Sequence, residues 1–168
     1  TTVMAADANG WLVSVTPSGG WVPATIAGRT GIGLSQRMQS FVLDASENPF
    51  NVVAPGKRPF HTIIPAFLTQ DGQPVMSFGV MGGDMQPQGH MQTLVRMLDY
   101  GQNPQAACDA PRWRFNLHKK LNLEPGVSAD TVQGLQQLGH LLDDIQDSYQ
   151  DFGAGQFVAL LGPNGAGK

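Results

Sequence analysis

Residues 1–16 read TTVMAADANGWLVSVT, and this stretch predicts a β-hairpin at the start of the chain. Apolar residues recur on both sides of a central polar segment, at 3–5 and at 12–15. Asn9-Gly10 in that segment is typical of a tight turn between antiparallel strands, because Asn and Gly tolerate positive φ. The first element of the fold is therefore expected to be a hairpin that starts at the second or third residue.

The chain begins with Thr1 and not with methionine. A threonine at this place can result from trimming, or from a self-cleavage that exposes a catalytic hydroxyl. The residue alone leaves both interpretations open. A cleaved precursor would carry any targeting peptide on its upstream part.

Further along, a second hairpin is predicted at 62–69 and 74–78, because Asp71-Gly72 forms another turn signal. Apolar residues with helical spacing predict a helix over 90–100 that ends at Gly101. Hairpins followed by grouped helices favour an α+β layered fold in a single domain over residues 1–168. The other expected elements are helices after Asn103 and from Ser128 to Gly139, and strands at 121–123, 140–145 and 156–161.

The composition narrows the class of protein. The 168 residues carry a net charge of -3, and only 14% of them are charged, so part of the surface is expected to be buried against a partner chain. The basic residues are scattered, so no nucleic-acid partner is expected, and no apolar run reaches the roughly 20 residues of a membrane helix. The single Cys108 fits neither a disulfide nor a metal motif, and we expect no cofactor or metal.

Three segments, taken in order, resemble the small catalytic subunit of the γ-glutamyltransferase family. Each segment is weak evidence alone, but the resemblance is collinear and runs from residue 1 to the end of the chain. It implies that Thr1 is exposed by self-cleavage. The segments are Thr1-Thr2 with Asp7-Ala8-Asn9-Gly10 and 13–16, then 54–59 with Pro65 and Asp71-Gly72, and finally Gly79, Gly82-Gly83, 98–101 and 109–112.

The resemblance implies the αββα sandwich of N-terminal nucleophile hydrolases, completed by a large subunit cleaved from the same precursor, in a dimer of heterodimers. Thr1 would be the nucleophile, with its own α-amino group as the base. A second hydroxyl, from Ser18 with Thr16 as the alternative, would position it. Gly82 and Gly83 would offer backbone N–H groups to the oxyanion.

The departures from the family lie at the expected substrate contacts. The acidic residue that holds the glutamyl ammonium is replaced by Ser40, a neighbouring position has become Arg37, and the pair of serines has become His61-Thr62. A cation beside a lost acid favours a small amide that carries a carboxylate, such as oxamate. The sequences of residues 60–65 and 79–90 also resemble a branch of this family that includes an oxamate amidohydrolase of purine degradation. The alternatives are a γ-glutamyl hydrolase or transferase acting on glutathione-like substrates and, for Arg37, a surface or interface ion pair.

The last residues, 162–168, match the spacing of a phosphate-binding loop and favour a rival class, a nucleotide-binding fragment. We interpret Pro163-Asn164-Gly165 instead as the hairpin turn that the family has there, with the final strand and tail missing. A catalytically inactive relative is a further alternative, which the retained Thr1, Ser18 and glycine pair argue against. We expect a cytoplasmic protein, or a periplasmic one if the upstream part carried a signal peptide.

Overall fold

The computed structural model describes residues 2–17 and 25–159, and these residues form two compact units. The loop unit contains residues 17 and 25–63, and the sheet unit contains residues 2–16 and 64–159. Two compact units can belong to one domain, so the single-domain organisation stays a prediction. Together the described residues form the mixture of hairpins and helices that the α+β prediction requires.

Within the described residues, the strands and helices have the following bounds. The strands are β1 (Val3–Ala6), β2 (Leu12–Val15), β3 (Ala66–Gln70), β4 (Gln73–Val80), β5 (Trp113–Phe115), β6 (Lys120–Leu123), β7 (Leu141–Leu142) and β8 (Gly155–Ala159). The α-helices are α1 (Gln86–Leu98), α2 (Pro104–Asp109), α3 (Ala129–Gln137) and α4 (Ser148–Phe152), and short 3-10 turns lie at Arg37–Ser40, Gly83–Met85 and Leu117–Lys119.

The predicted first hairpin is confirmed: β1 and β2 pair antiparallel, with Val3 opposite Val15. The carboxylate of Asp7 organises the turn by accepting the N–H groups of Trp11 at 3.0 Å and Asn9 at 2.9 Å. These hydrogen bonds, that of Trp11 above all, hold the pKa of the Asp7 carboxyl below its usual value. Gly10 adopts a φ of 88° and closes the turn.

The second hairpin is also confirmed, and it forms the centre of a three-stranded antiparallel sheet with the order β3-β4-β8. Asp71 and Gly72 both have positive φ, as a two-residue hairpin turn requires. The strand before the turn begins at Ala66 and not at residue 62, because Pro65 lacks a backbone N–H to give to a ladder.

Helix α1 begins at Gln86, four residues before the predicted start at residue 90. Proline is favoured in the first turn of a helix, and Pro87 lies in the first turn of α1, ahead of the apolar spacing that predicted the helix. The helix packs on β4 through Gly89, where a Cβ would lie 2.8 Å from a methyl group of Val80. The predicted caps of α2 and α3 are present, since the side chains of Asn103 and Ser128 accept backbone N–H groups.

A smaller sheet has the order β5-β6-β7, and the sequence did not predict β5. Helix α1 holds this edge strand: the side-chain amides of Gln88 and Gln92 each exchange two hydrogen bonds with the backbone of Phe115 and Trp113 respectively, at 2.7–3.1 Å. The predicted strand at 140–145 is reduced to two residues. After β7 the pairing with the backbone of β6 ends, because the carbonyl oxygens of residues 143 and 144 accept hydrogen bonds from the side-chain amide of Asn122 instead.

The core contains the second half of β4, which packs against α1, and the turn Gly83–Met85, which packs against α4. The strand is buried from Met76 to Val80, whereas its first residues are exposed. No helix among residues 2–17 and 25–159 is long and apolar enough to cross a bilayer. The buried apolar residues are Met76, Phe78, Val80, Met85, Ala107, Leu121 and Phe152.

Candidate active site

Thr2, the second residue of the chain, is held against the end of β4, the central strand of the three-stranded sheet. Its backbone N–H donates to the side-chain carbonyl of Gln156 in β8 at 3.2 Å. Its hydroxyl lies 3.3 Å from the hydroxyl of Thr16, at the end of the first hairpin. Gly79 makes room for it, since a Cβ there would lie 3.0 Å from the Thr2 hydroxyl oxygen. Thr2 is only 8% exposed, so the beginning of the described chain has one defined place on β4.

The glycine pair follows three residues after Gly79, in the connection between β4 and α1. Gly82 has a φ of 139° and Gly83 a φ of 54°, and both values disfavour residues with a side chain. A Cβ on Gly82 would also lie 3.0 Å from the carbonyl group of Phe152. The pair therefore combines a conformation that needs glycine with a close approach of backbone from another part of the chain.

The segment that approaches the glycine pair is the turn after α4. Gly153 has a φ of 57°, and a Cβ there would lie 1.8 Å from the carbonyl oxygen of Met81. The Met81 N–H donates to the carbonyl oxygen of Ala154 at 3.0 Å. Residues 81–82 and 152–154 therefore lie in backbone-to-backbone contact, which leaves no room for a side chain between them.

Arg112 fixes this turn. Its guanidinium donates to the carbonyl oxygens of Phe152 at 2.8 Å and of Gly153 at 3.0 Å. It also donates two hydrogen bonds to the carboxylate of Glu124, and its charge lies 5.5 Å from the centre of the Phe152 ring. Such bidentate pairs are directional as well as strong. The buried ion pair thus sets the position of the backbone that touches the glycine pair.

In the loop unit, hydrogen bonds connect three of the four predicted substrate-binding residues, Arg37, Ser40 and Thr62. The guanidinium of Arg37 donates to the hydroxyl of Thr62, which lies 25 positions further along the chain. The hydroxyl of Ser40 donates to the carbonyl oxygen of Arg37 at 2.9 Å, within the same 3-10 turn. The side chain of Asn51 binds the carbonyl oxygen of Ser40. Arg37 therefore belongs to a small polar cluster and has partners of its own.

The imidazole ring of His61 contacts the backbone of its own segment. Its ring nitrogen Nδ1 lies 3.2 Å from the Ile63 N–H, which donates to it, and 3.0 Å from the Ile63 carbonyl oxygen. The fourth predicted substrate contact is therefore adjacent to Thr62 in the chain, but its ring contacts the following residues.

Several predicted residues lie outside the part of the chain that the structure describes. They are Thr1, Ser18 and the glycine-rich 162–168 with the turn predicted inside it. Thr16, the alternative to Ser18, is described, and its hydroxyl contacts Thr2. Within the described ranges, no three histidine, cysteine, aspartate or glutamate side chains come together as a metal site would require.

Sequence reasoning missed the roles of Thr2, Gln156 and Gly153 in building this region. Gly79 carried a signal, since a glycine inside an apolar strand marks a close approach of another group. Gly153 and Gln156 carried none, because their partners lie some seventy to 150 positions away in the chain.

A family model described as gamma-glutamyltranspeptidase matches residues 1–167 of the chain. The Glutathione hydrolase-like YwrD proenzyme of Bacillus subtilis is 40% identical over 74% of the chain and 24% of its own length. The Oxamate amidohydrolase proenzyme of Klebsiella pneumoniae is 34% identical over 81% of the chain and 26% of its own length. The chain thus spans about a quarter of the length of these curated relatives.

Among solved structures, the gamma-glutamyltranspeptidase from Pseudomonas nitroreducens superposes with a TM-score of 0.77 at 22% sequence identity. The match covers 96% of this chain and 90% of that one. At this identity the likeness shows the fold: the arrangement of sheets and helices is that of gamma-glutamyltranspeptidases, as the sandwich prediction required.

Proposed function

Because the chain belongs to the gamma-glutamyltranspeptidase family, we propose that it is the catalytic small subunit of an amide hydrolase with Thr1 as nucleophile. The substrate in this proposal is a small amide that carries a carboxylate, as oxamate does. The upstream part of the same precursor supplies the large subunit. We place the enzyme in the cytoplasm, or in the periplasm if that upstream part carries a signal peptide.

The observation that carries the proposal is the position of Thr2 on β4. Thr2 follows Thr1 in the chain, and its hydroxyl lies against Gly79, three residues before Gly82. A nucleophile attached to an anchored residue needs little further ordering, and ordering of this kind lowers the barrier of a reaction. Backbone donors for an oxyanion are then available just beyond the end of the same strand, at Gly82 and Gly83.

The proposed reaction has two halves. The Thr1 hydroxyl attacks the amide carbonyl while the free α-amino group of the same residue accepts its proton, which then passes to the leaving amine. The N–H groups of Gly82 and Gly83 stabilise the negative charge on the carbonyl oxygen. Water then attacks the resulting ester and restores Thr1. Ser18 positions the nucleophile, and the hydroxyl of Thr16 orders Thr2.

The Arg37 cluster supports a substrate with a carboxylate. An α-ammonium group needs an acid, and Ser40 is a neutral residue whose hydroxyl donates to a backbone carbonyl. Arg37 and Thr62 together present a guanidinium and a hydroxyl, which are donors suited to a carboxylate. In the proposal a substrate carboxylate joins this pair, with His61 beside it. The similarity to an oxamate amidohydrolase proenzyme supports the same substrate class.

A second candidate is a γ-glutamyl hydrolase or transferase that acts on glutathione-like substrates. It is favoured by the 40% identity to a protein named as glutathione hydrolase-like. The two candidates share the chemistry of Thr1 and differ in what the Arg37 cluster binds, so one pair of assays separates them.

The first hairpin supports the proposed large subunit. Val3, Val13 and Val15 lie on one face of the β1–β2 hairpin, and each is at least 45% exposed. An apolar strand face in water is costly, at about 25 cal/mol per Å² of apolar surface. The proposal is that the upstream chain covers this face, in a dimer of such heterodimers.

The test uses the full-length precursor and two substrates, oxamate and γ-glutamyl-p-nitroanilide, with ammonia and nitroaniline as the measured products. The wild-type protein should cleave itself before Thr1 and release ammonia from oxamate. Thr1→Ala should do neither, whereas Thr1→Ser should keep a fraction of both activities. Normal processing and turnover by Thr1→Ala would refute the nucleophile. Efficient cleavage of the glutamyl compound without oxamate turnover would favour the second candidate.

A further inference from the structure

We propose that His90 is a positioning residue for the glycine pair: by accepting the Val80 N–H, it holds the end of β4 from which Gly82 and Gly83 follow. The inference rests on the proposed function, since the exact placement of these N–H groups matters only if they bind an oxyanion. His90 lies at the end of the segment 79–90 that resembles the oxamate amidohydrolase branch, but no catalytic or substrate-binding role was predicted for it.

The end of β4 is held from two sides. The Met81 N–H donates to Ala154 on the β8 side, at 3.0 Å. The Val80 N–H points to the other side, because successive N–H groups of a strand alternate. On that side the ladder with β3 ends at the pair of Ala66 and Phe78, so no strand residue is paired with Val80 there. His90 supplies the acceptor with its ring nitrogen Nε2, at 2.9 Å.

The packing of α1 gives His90 a defined ring position. Gly89 brings the helix into contact with Val80, because any Cβ at residue 89 would lie 2.8 Å from a Val80 methyl group. The ring of Phe78 contacts the His90 ring edge-on, with centroids 5.1 Å apart and planes at 66°. Val80 itself is 3% exposed, so water is a poor substitute for the imidazole as acceptor of its N–H.

This hydrogen bond requires a specific form of the imidazole. Nε2 accepts a hydrogen bond only when it carries no proton, so this hydrogen bond requires a neutral His90 with its hydrogen on Nδ1. Burial lowers the pKa of His90 and thereby favours the neutral form near neutrality. The environment and the hydrogen bond therefore agree on the same state of the ring.

Loss of the acceptor would affect catalysis through the backbone. A buried N–H without an acceptor is unfavourable, so the backbone is expected to shift until the Val80 N–H finds another partner. We expect this shift to move residues 80–83, which include the glycine pair. Oxyanion donors act only at the correct distance from the developing charge, and a displacement of about 1 Å can cost about 100-fold in rate. The Arg37 cluster lies on other residues, so substrate affinity should change little.

The test compares His90→Phe with His90→Gln in the full-length, processed protein. Phenylalanine keeps a ring against Phe78 but has no acceptor, whereas glutamine carries an oxygen at a similar distance from the backbone. We expect kcat to fall by roughly 10- to 100-fold in His90→Phe, with KM within about threefold, and to recover in His90→Gln. His140→Phe is the matched control: it removes another partly buried histidine of the sheet unit and should leave kcat unchanged.

Two outcomes would overturn the inference: an unchanged kcat in His90→Phe, or an equal loss of kcat in both His90 variants. Amide hydrogen exchange provides a second measurement, in which Val80 to Gly83 should exchange faster in His90→Phe and not in His90→Gln. If the wild-type protein hydrolyses neither substrate, the proposed function fails and the catalytic role of His90 fails with it. Hydrogen exchange would then still decide whether His90 orders the end of β4, so the two failures can be told apart.

Discussion

Arg112 and Glu124 form a bidentate ion pair in the interior of the sheet unit, with N–O distances of 2.9 Å from Nε and 2.8 Å from Nη2. The backbone N–H of Arg112 binds the same carboxylate at 2.8 Å. The side chains are 8% and 19% exposed. The other hydrogen bonds of Arg112 hold the turn at Phe152 and Gly153. Glu124 therefore fixes, through Arg112, the position of the backbone that lies beside Gly82 and Gly83.

Glu124→Ala should strongly destabilise the protein, because it leaves the buried guanidinium of Arg112 without its counter-charge. The expected loss is about 3–5 kcal/mol in the free energy of unfolding. Denaturant unfolding of the processed protein measures it. Lys120→Ala is the control, since its ion pair with Asp143 is about half exposed and should contribute less than about 1 kcal/mol. Equal effects of the two substitutions would contradict this account.

Gly153→Ala should be among the most damaging glycine substitutions. Its Cβ would meet the Met81 carbonyl at 1.8 Å, and its φ is 57°. We expect a loss of roughly 3 kcal/mol or more from the clash and the left-handed backbone together. Gly134→Ala is the matched control inside α3, where nothing lies within 4 Å of the added Cβ. It should stabilise by about 0.5–1 kcal/mol, and thermal melting compares the two variants.

Arg37→Ala should reduce kcat/KM for oxamate by roughly 30-fold or more, since removal of one partner of a desolvated charge pair costs about 2–5 kcal/mol. Arg29→Ala removes an exposed arginine of the same loop unit and should leave kcat/KM unchanged. Neutral amides should be poor substrates of both variants and of the wild type. An Arg37→Ala protein with normal oxamate turnover would show that the carboxylate is held elsewhere.

The stability of the protein should decrease as the pH falls below about 6.5, in part because of His90. Burial lowers the pKa of His90 in the folded state below the ordinary 6.5. In that range the unfolded chain binds the proton and the folded chain does not, so acid favours unfolding. Above pH 6.5 this contribution is fully present. Unfolding measured between pH 5 and 8 should show a shallower acid decline in His90→Gln than in the wild type, and identical profiles would refute the assignment.

The local elements of the fold could be predicted from the sequence because their causes lie within a few residues. The hairpin turns at 7–11 and 71–72, and the caps at Asn103 and Ser128, depend on side chains that bind their own neighbourhood. The position of Gly82 and Gly83 between strand and helix was predictable for the same reason. The start of α1 was predicted too late, at residue 90, because the apolar spacing begins there and Pro87, which lies in the first turn of the helix, was not used as a start signal.

The sequence by itself thus determined the two hairpins, helices α1 to α3 and, through the ordered motifs, the family to which the chain belongs. It also named Arg37 and Thr62 as separate candidates, but only the tertiary structure joined them by a hydrogen bond. The contacts of Thr2 with Gly79, of Gly153 with Met81 and of His90 with Val80 were likewise decided by packing. Such contacts join residues on different elements. They depend on the space left between packed elements and on a strand N–H that no neighbouring strand pairs, and both arise only when the chain is folded.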